Sequence, residues 1–222
     1  MLKTERMDRV RAALRAQGLT QMIVCDPKSV WYLTGVAVEP YERLLALYLP
    51  TEGEPVLFLN RLFNVPEPPC RTVWHTDTDK PVAQIAEVVD AGRPLGIDKE
   101  WPAKFLIPLM ETHPGMQVVL SSDCVDDCRA CKDAEEQALM REASRINDAV
   151  NEAAKHYIKA GMTEREVAEF IDAQFRAHGC EGPSFTTIVS FGANAADPHH
   201  EPDDTVLKEG DCVLFDMGCV KS

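Results

Sequence analysis

Long hydrophobic runs are missing from this chain. No stretch approaches the roughly 20 apolar residues that cross a bilayer, so the sequence offers no membrane-spanning helix and no membrane partner. A secretory leader is missing as well. The N-terminus, MLKTERMDRVRAALRAQGL, is amphipathic and charged throughout, with no apolar core segment. Both absences point to a cytoplasmic protein. Positive charge is in deficit: 23 Lys and Arg stand against 36 Asp and Glu, a formal net charge of −13. No basic patch or arginine-rich stretch offsets it, so the chain is poorly suited to nucleic acid or to anionic surfaces. Internal repeats and low-complexity segments are absent too.

The 222 residues present are 45% hydrophobic and 27% charged. Those are ordinary values for a globular protein with a sizeable core, and the length suits one large domain or two modest ones. Eight cysteines occur, at positions 25, 70, 124, 128, 131, 180, 212 and 219. In a chain of this size with no leader they read as reduced thiols rather than a disulfide framework. Cys25 and Cys212 lie in apolar strand-like runs and are expected to behave as small buried hydrophobes.

Strand-like runs and helical stretches alternate through the first part of the chain. Residues 3–17 read as a helix, QMIVC (21–25) as a strand, and LLALYLP and EPVLFL as an antiparallel pair around the turn TEGE. CRTVWHT, PLGID and QVVLS read as further strands, and residues 81–91 and 102–112 as helices. The pattern is that of an α/β domain. Near residue 131 the character changes. A long amphipathic helix begins, with Leu139, Ala143, Ile146, Val150, Ala153 and Tyr157 on one face and Gly161 placed to end it. TERE then opens another helix, reaching about His178–Gly179. Thr163 and Glu166 form a capping box there, and Met162 and Val167 the accompanying staple. The expected division is residues 1–128 and residues 132–222.

CVDDCRAC (124–131) has a C-x3-C-x2-C spacing that could hold an iron–sulfur cluster. Ala130 stands where an aromatic usually precedes the third cysteine of such a motif, and Asp126 and Asp127 would crowd an already anionic cluster. A helical turn with its cysteines on one side is the favoured reading.

The stretch FTTIVSFGANAADPHHEPDDTVLKEGDCVLFDMG (185–218) carries the candidate site. An apolar strand leads into a loop rich in turn formers, two histidines follow, and a second strand ends on Asp216. Neighbouring side chains on an extended backbone point opposite ways, so at most one of His199 and His200 belongs to a site. The residues by themselves support a candidate hydrolytic or metal site and no more.

The same stretch resembles the metallopeptidase family of aminopeptidase P, Xaa-Pro dipeptidase, methionine aminopeptidase and creatinase. The pattern G-x-N-x-A-x-P-H-x-x-P is met by Gly192, Asn194, Ala196, Pro198, His199 and Pro202. The pattern L-x-x-G-D-x-V-x-x-D-x-G is met by Leu207, Gly210, Asp211, Val213, Asp216 and Gly218. KDAEEQALMREAS is similar to the first catalytic-domain helix of the proline-peptidase branch. SVWYLTG, ERLLALYLP and GEPVLFL are similar to its N-terminal domain, which methionine aminopeptidases lack. The resemblance implies a creatinase/prolidase-like α/β domain followed by the first part of an α+β "pita-bread" domain.

It further implies a dimetal hydrolase acting on Xaa-Pro peptides. Asp216 would be a metal ligand, His199 a catalytic, substrate-binding histidine, and Gly192 and Asn194 loop-shaping residues, with His200 at a variable, inessential position. Two divalent ions (Mn, Co or Zn), a proline-containing peptide substrate and a homodimer are implied with it. The family's remaining ligands, an aspartate, a histidine and two glutamates, are not among these 222 residues. The chain alone is therefore expected to be inactive and to expose a strand edge and apolar surface. The alternatives are a creatinase-like amidinohydrolase or related small-molecule hydrolase, and a non-catalytic binding or dimerisation fragment.

Overall fold

Apolar runs without alternation belong to strands covered on both faces, and the first part of the chain contains several. In the computed structural model, which describes residues 2–221, they form the centre of a mixed sheet. The chain divides into two compact units, Met1–Cys131 and Lys132–Ser222.

The first unit holds a six-stranded sheet. Its strands are β1 (Gln21–Val24), β2 (Ala46–Pro50), β3 (Val56–Asn60), β4 (Arg71–His75), β5 (Leu95–Ile97) and β6 (Val118–Leu120), in the order β4-β3-β2-β1-β5-β6. β2 is antiparallel to β3, as read from the TEGE turn, and also to β1; the β3–β4, β1–β5 and β5–β6 pairs are parallel. The period-2 rule sorts the strand residues onto two faces. Met22, Val24, Leu47, Leu49, Leu57 and Leu59 share one core. Ile23, Cys25, Ala46, Tyr48, Val56 and Phe58 share the other.

Helix α1 (Thr4–Ala16) covers the first face with Met7, Val10 and Leu14. It is joined there by α2 (Pro27–Thr34) and α5 (Asp123–Ala130). Helices α3 (Pro81–Ala86) and α4 (Ala103–Thr112) cover the other face. α3 is shorter than the 81–91 read from the sequence. The cysteine triplet behaves as a helical turn: Cys124 is buried, Cys128 half-buried, and Cys131 lies exposed just past the helix end. All eight cysteines are free thiols.

The second unit opens with α6 (Ala134–Tyr157), capped by Asp133, whose carboxylate accepts from the Glu136 N–H while Glu136 reaches back. Its buried face is Ile146, Val150 and Ala154. Leu139, expected on that face, is 36% exposed. The helix also stops before Gly161, because Ile158 swings to an extended conformation (ψ 139°). Gly161, at φ 98°, serves instead in the following turn, where its N–H donates to the Leu207 carbonyl.

Helix α7 (Glu164–Ala177) starts on the expected Thr163–Glu166 capping box. Met162 and Val167 share its core, and Tyr157 stacks on Phe170 with ring centroids 3.8 Å apart. Two short ladders follow. β7 (Gly182–Pro183) pairs with β10 (Cys219–Val220), and β8 (Ile188–Phe191) with β9 (Val213–Asp216), both antiparallel. One sequence reading fails here. Cys212 is exposed rather than buried, because it precedes β9 outside the ladder. β9 itself is half-buried and ends on an exposed Asp216.

Candidate functional site

Helix α7 carries an apolar stripe, Val167, Ile171 and Phe175, at helical spacing. One turn earlier the same stripe is occupied by Glu164, whose side chain is 0% exposed. A carboxylate taken out of water costs several kcal/mol unless it is paired and hydrogen-bonded. Glu164 is both. Its Oε1 accepts from the Phe191 N–H (2.7 Å) and from Asn194 Nδ2 (3.0 Å). Its Oε2 accepts from His200 Nε2 (2.7 Å) and from the Asp203 N–H (3.1 Å).

The last residue of β8 and the loop that follows it supply all four donors. A 3-10 turn, Gly192–Ala196, leaves the end of β8. Gly192 enters it at φ 52°, and a Cβ there would stand 3.2 Å from the Asp211 carboxylate. Asn194 spends its amide hydrogens on Glu164 and on Thr205 Oγ1 (3.1 Å). Asn194 Nδ2 also lies 3.2 Å from His200 Nε2. The shorter approach to Glu164, whose ionised carboxylate can only accept, makes that nitrogen a donor. The loop also satisfies the first orphan amides of α7: the Glu164 N–H donates to the Thr205 carbonyl and the Arg165 N–H to that of Asp203.

His200 is thus held. Its pKa is raised, chiefly by the hydrogen bond to Glu164, with smaller contributions from the charges of Glu164, Asp203 and Asp197. Glu164, His200 and Asp203 bring potential ligand atoms within 4.8 Å of one another. Both Glu164 oxygens are already engaged twice, however, and Asp203 Oδ1 accepts from the Thr205 N–H at 2.7 Å. The trio reads as an ion pair with a neighbouring turn, not as a vacant cation site.

His199 is exposed; its N–H donates to Asp197 Oδ1 (3.0 Å). Its imidazole makes no hydrogen bond or ion pair with the described residues. The carboxylate of Asp216 is likewise exposed and makes no such bond with them. The β8–β9 register sets Asp216 opposite Ile188 and Val213 opposite Phe191. That leaves Asp216 about 10 Å along the ladder from the Gly192 end. The fold therefore brings Asn194 and His200 together around Glu164 and sets Gly192 against Asp211, while no bond among the described residues joins His199 to Asp216. Sequence reasoning passed over Glu164 and set His200 aside. The available signal was an acidic residue in register with the apolar stripe of α7.

Similarity to known proteins agrees with this architecture. The family model described as creatinase/prolidase N-terminal domain matches residues 6–131. The model for metallopeptidase family M24 matches residues 138–222. An uncharacterized peptidase of Staphylococcus aureus is 32% identical over 208 residues, covering 89% of this chain and 57% of that protein. The crystal structure of a prolidase from Thermococcus sibiricus superposes with a TM-score of 0.89 at 28% identity, over 99% of this chain and 62% of that one. A dipeptidase from Mycobacterium ulcerans gives 0.87 at 29% identity, over 97% and 60%.

The chain belongs to the family with a creatinase/prolidase N-terminal domain, whose model matches more than half of it, and its remaining part is similar to metallopeptidase family M24. The chain spans about three-fifths of the length of the curated relatives it matches. The metallopeptidases of family M24 use divalent metal. Asp216, a hard oxygen donor with no competing bond among the described residues, is chemically suited to such an ion.

Proposed function

We propose that the protein acts as a metal-dependent dipeptidase or aminopeptidase that cleaves Xaa-Pro bonds, with a proline-containing peptide as its substrate. The observation that carries this reading is the carboxylate of Asp216 at the end of β9, unpaired among the described residues, in a chain that over nearly its whole length resembles part of a prolidase. Asp216 would hold one of two divalent ions (Mn, Co or Zn); a bound pair supplies an acidified water and polarises the scissile carbonyl. His199 would present its imidazole to the substrate and donate a hydrogen bond to the oxygen that gains charge. Gly192 and Asn194 shape the loop that carries it. An Xaa-Pro amide has no N–H, so a site for it needs no acceptor at that nitrogen. A homodimer and a cytoplasmic location complete the proposal.

The test is manganese-dependent release of proline from an Xaa-Pro dipeptide by protein extended to the span of its relatives. Release is expected. Absence of release with metal binding intact would redirect the reading to a small-molecule hydrolase. Asp216→Ala should remove one metal equivalent, and unchanged stoichiometry would overturn the assignment. Residues 1–222 alone carry too few of the family's ligands to hold a metal pair. They should therefore release no proline under the same conditions.

A further inference from the structure

Glu164 presents an accounting problem. It lies on the buried stripe of a helix, where an apolar side chain would cost nothing to desolvate, and no lysine or arginine among the described residues pairs with it. Every donor it receives comes from one segment: the last residue of β8, the 3-10 turn, His200 and the Asp203 amide. A single carboxylate at a helix start therefore ties down the beginning and the middle of the loop that bears His199.

We propose that Glu164, acting through His200 and Asn194, is the positioning residue for His199, fixing the loop so that His199 faces outward to the substrate. This rests on the reading of His199 as the substrate-facing histidine. The two histidines are adjacent, and His199 sits inside the turn that the His200 N–H closes on the Asp197 carbonyl. With His200 drawn onto Glu164 and the His199 N–H held by Asp197, the His199 imidazole is left pointing away from the core, exposed. A histidine at position 200 is not needed for this as an acid or base. It is needed as an N–H donor that reaches a buried acceptor, so glutamine at this position can do the same work and alanine cannot.

The test has two arms. In the first, amide hydrogen exchange is measured on the 222-residue chain and on its His200→Ala, His200→Gln and Glu164→Gln variants. His200→Ala should speed exchange across residues 193–204 about tenfold or more, leaving the α7 amides at Val167, Ile171 and Phe175 protected. His200→Gln should recover most of the loop protection. Glu164→Gln, which turns an acceptor into a donor facing donors, should resemble His200→Ala; if it does not fold, the His200 pair still decides. Loop exchange within twofold of the unsubstituted chain in His200→Ala overturns the inference.

In the second arm, proline release is measured on extended protein. His200→Ala should lower kcat roughly 10- to 100-fold, the scale of a small misplacement. KM should stay within about threefold and metal stoichiometry unchanged, and His200→Gln should restore most of kcat. Release that is unaffected by His200→Ala overturns the positioning role and leaves the peptidase reading standing. No release from the unsubstituted protein overturns the peptidase reading, and the exchange arm then decides by itself whether Glu164 holds the loop.

Discussion

Glu164 is worth more to this fold than its surroundings suggest, because four donors converge on its two buried oxygens. Glu164→Ala strands two backbone N–H groups, removes the acceptor of one Asn194 hydrogen, and leaves His200 with only the more distant Asp203 carboxylate, 4.0 Å away. Breaking a buried pair by deleting one partner costs about 3–5 kcal/mol. Urea unfolding should show a loss of that order; a loss under about 1 kcal/mol would mean the carboxylate is not the hub described. The pair is also pH-dependent, with a definite sign. The folded pKa of His200 is raised. Its contribution is therefore complete below the ordinary histidine value of about 6.5 and is lost as pH rises through the folded pKa. The stability advantage of the unsubstituted chain over His200→Gln should shrink as pH rises from mildly acidic to alkaline. A constant difference would place the protonated pair elsewhere. Thiol reactivity follows burial at the same scale. Burial pushes Cys25 far up and Cys124 up to about 11, whereas Cys131 and Cys212 are exposed. A limiting dose of iodoacetamide on the native chain should mark Cys131 and Cys212 first, as peptide mapping would show.

Elements whose signals lie within a few residues were legible. The start of α7 is one: Thr163 and Glu166 satisfy each other across a single turn, and nothing distant is needed to read that. Thr163→Ala should cost about 1 kcal/mol in urea unfolding. The β2–β3 hairpin and the ends of α1 were readable for the same reason. The end of α6 was not. Gly161 is a good stop signal, but Ile158 leaves the helix earlier, and Gly161 bonds to Leu207, a partner 46 positions away that no local pattern reveals. The candidate site divides likewise. His199 and Asp216 lie in a continuous motif and could be named from it. Glu164 could not be paired with His200 in advance, since their contact depends on how α7 meets the β8–β9 loop. What the sequence did hold was an acid in register with Val167, Ile171 and Phe175, an exception to the stripe that charge counting alone overlooks.

At the scale of the whole chain, three cores partition without overlap. The two that sandwich the six-stranded sheet draw only on residues up to Cys128, and the third begins at Ile146. The units differ in how their strands are supported. In the first, β1, β2, β3 and β5 are interior strands, hydrogen-bonded on both sides and covered by helices on both faces. In the second, each sheet has two strands, so every strand is an edge, and two-stranded ladders are marginal without packing to support them. Phe185 and Val206 are exposed beside them, and Leu139 and Met140 on α6. Unequal stability of separately built cores should produce separate transitions. In a urea titration of the 222-residue chain, Trp31, Trp74 and Trp101 all report on the first unit, while far-UV circular dichroism reports on both. The circular dichroism signal should begin to fall at lower urea than tryptophan fluorescence, as α6 and α7 melt first, and should then fall again together with the fluorescence. Coincident single transitions from the two probes would show instead that the second unit is no weaker than the first.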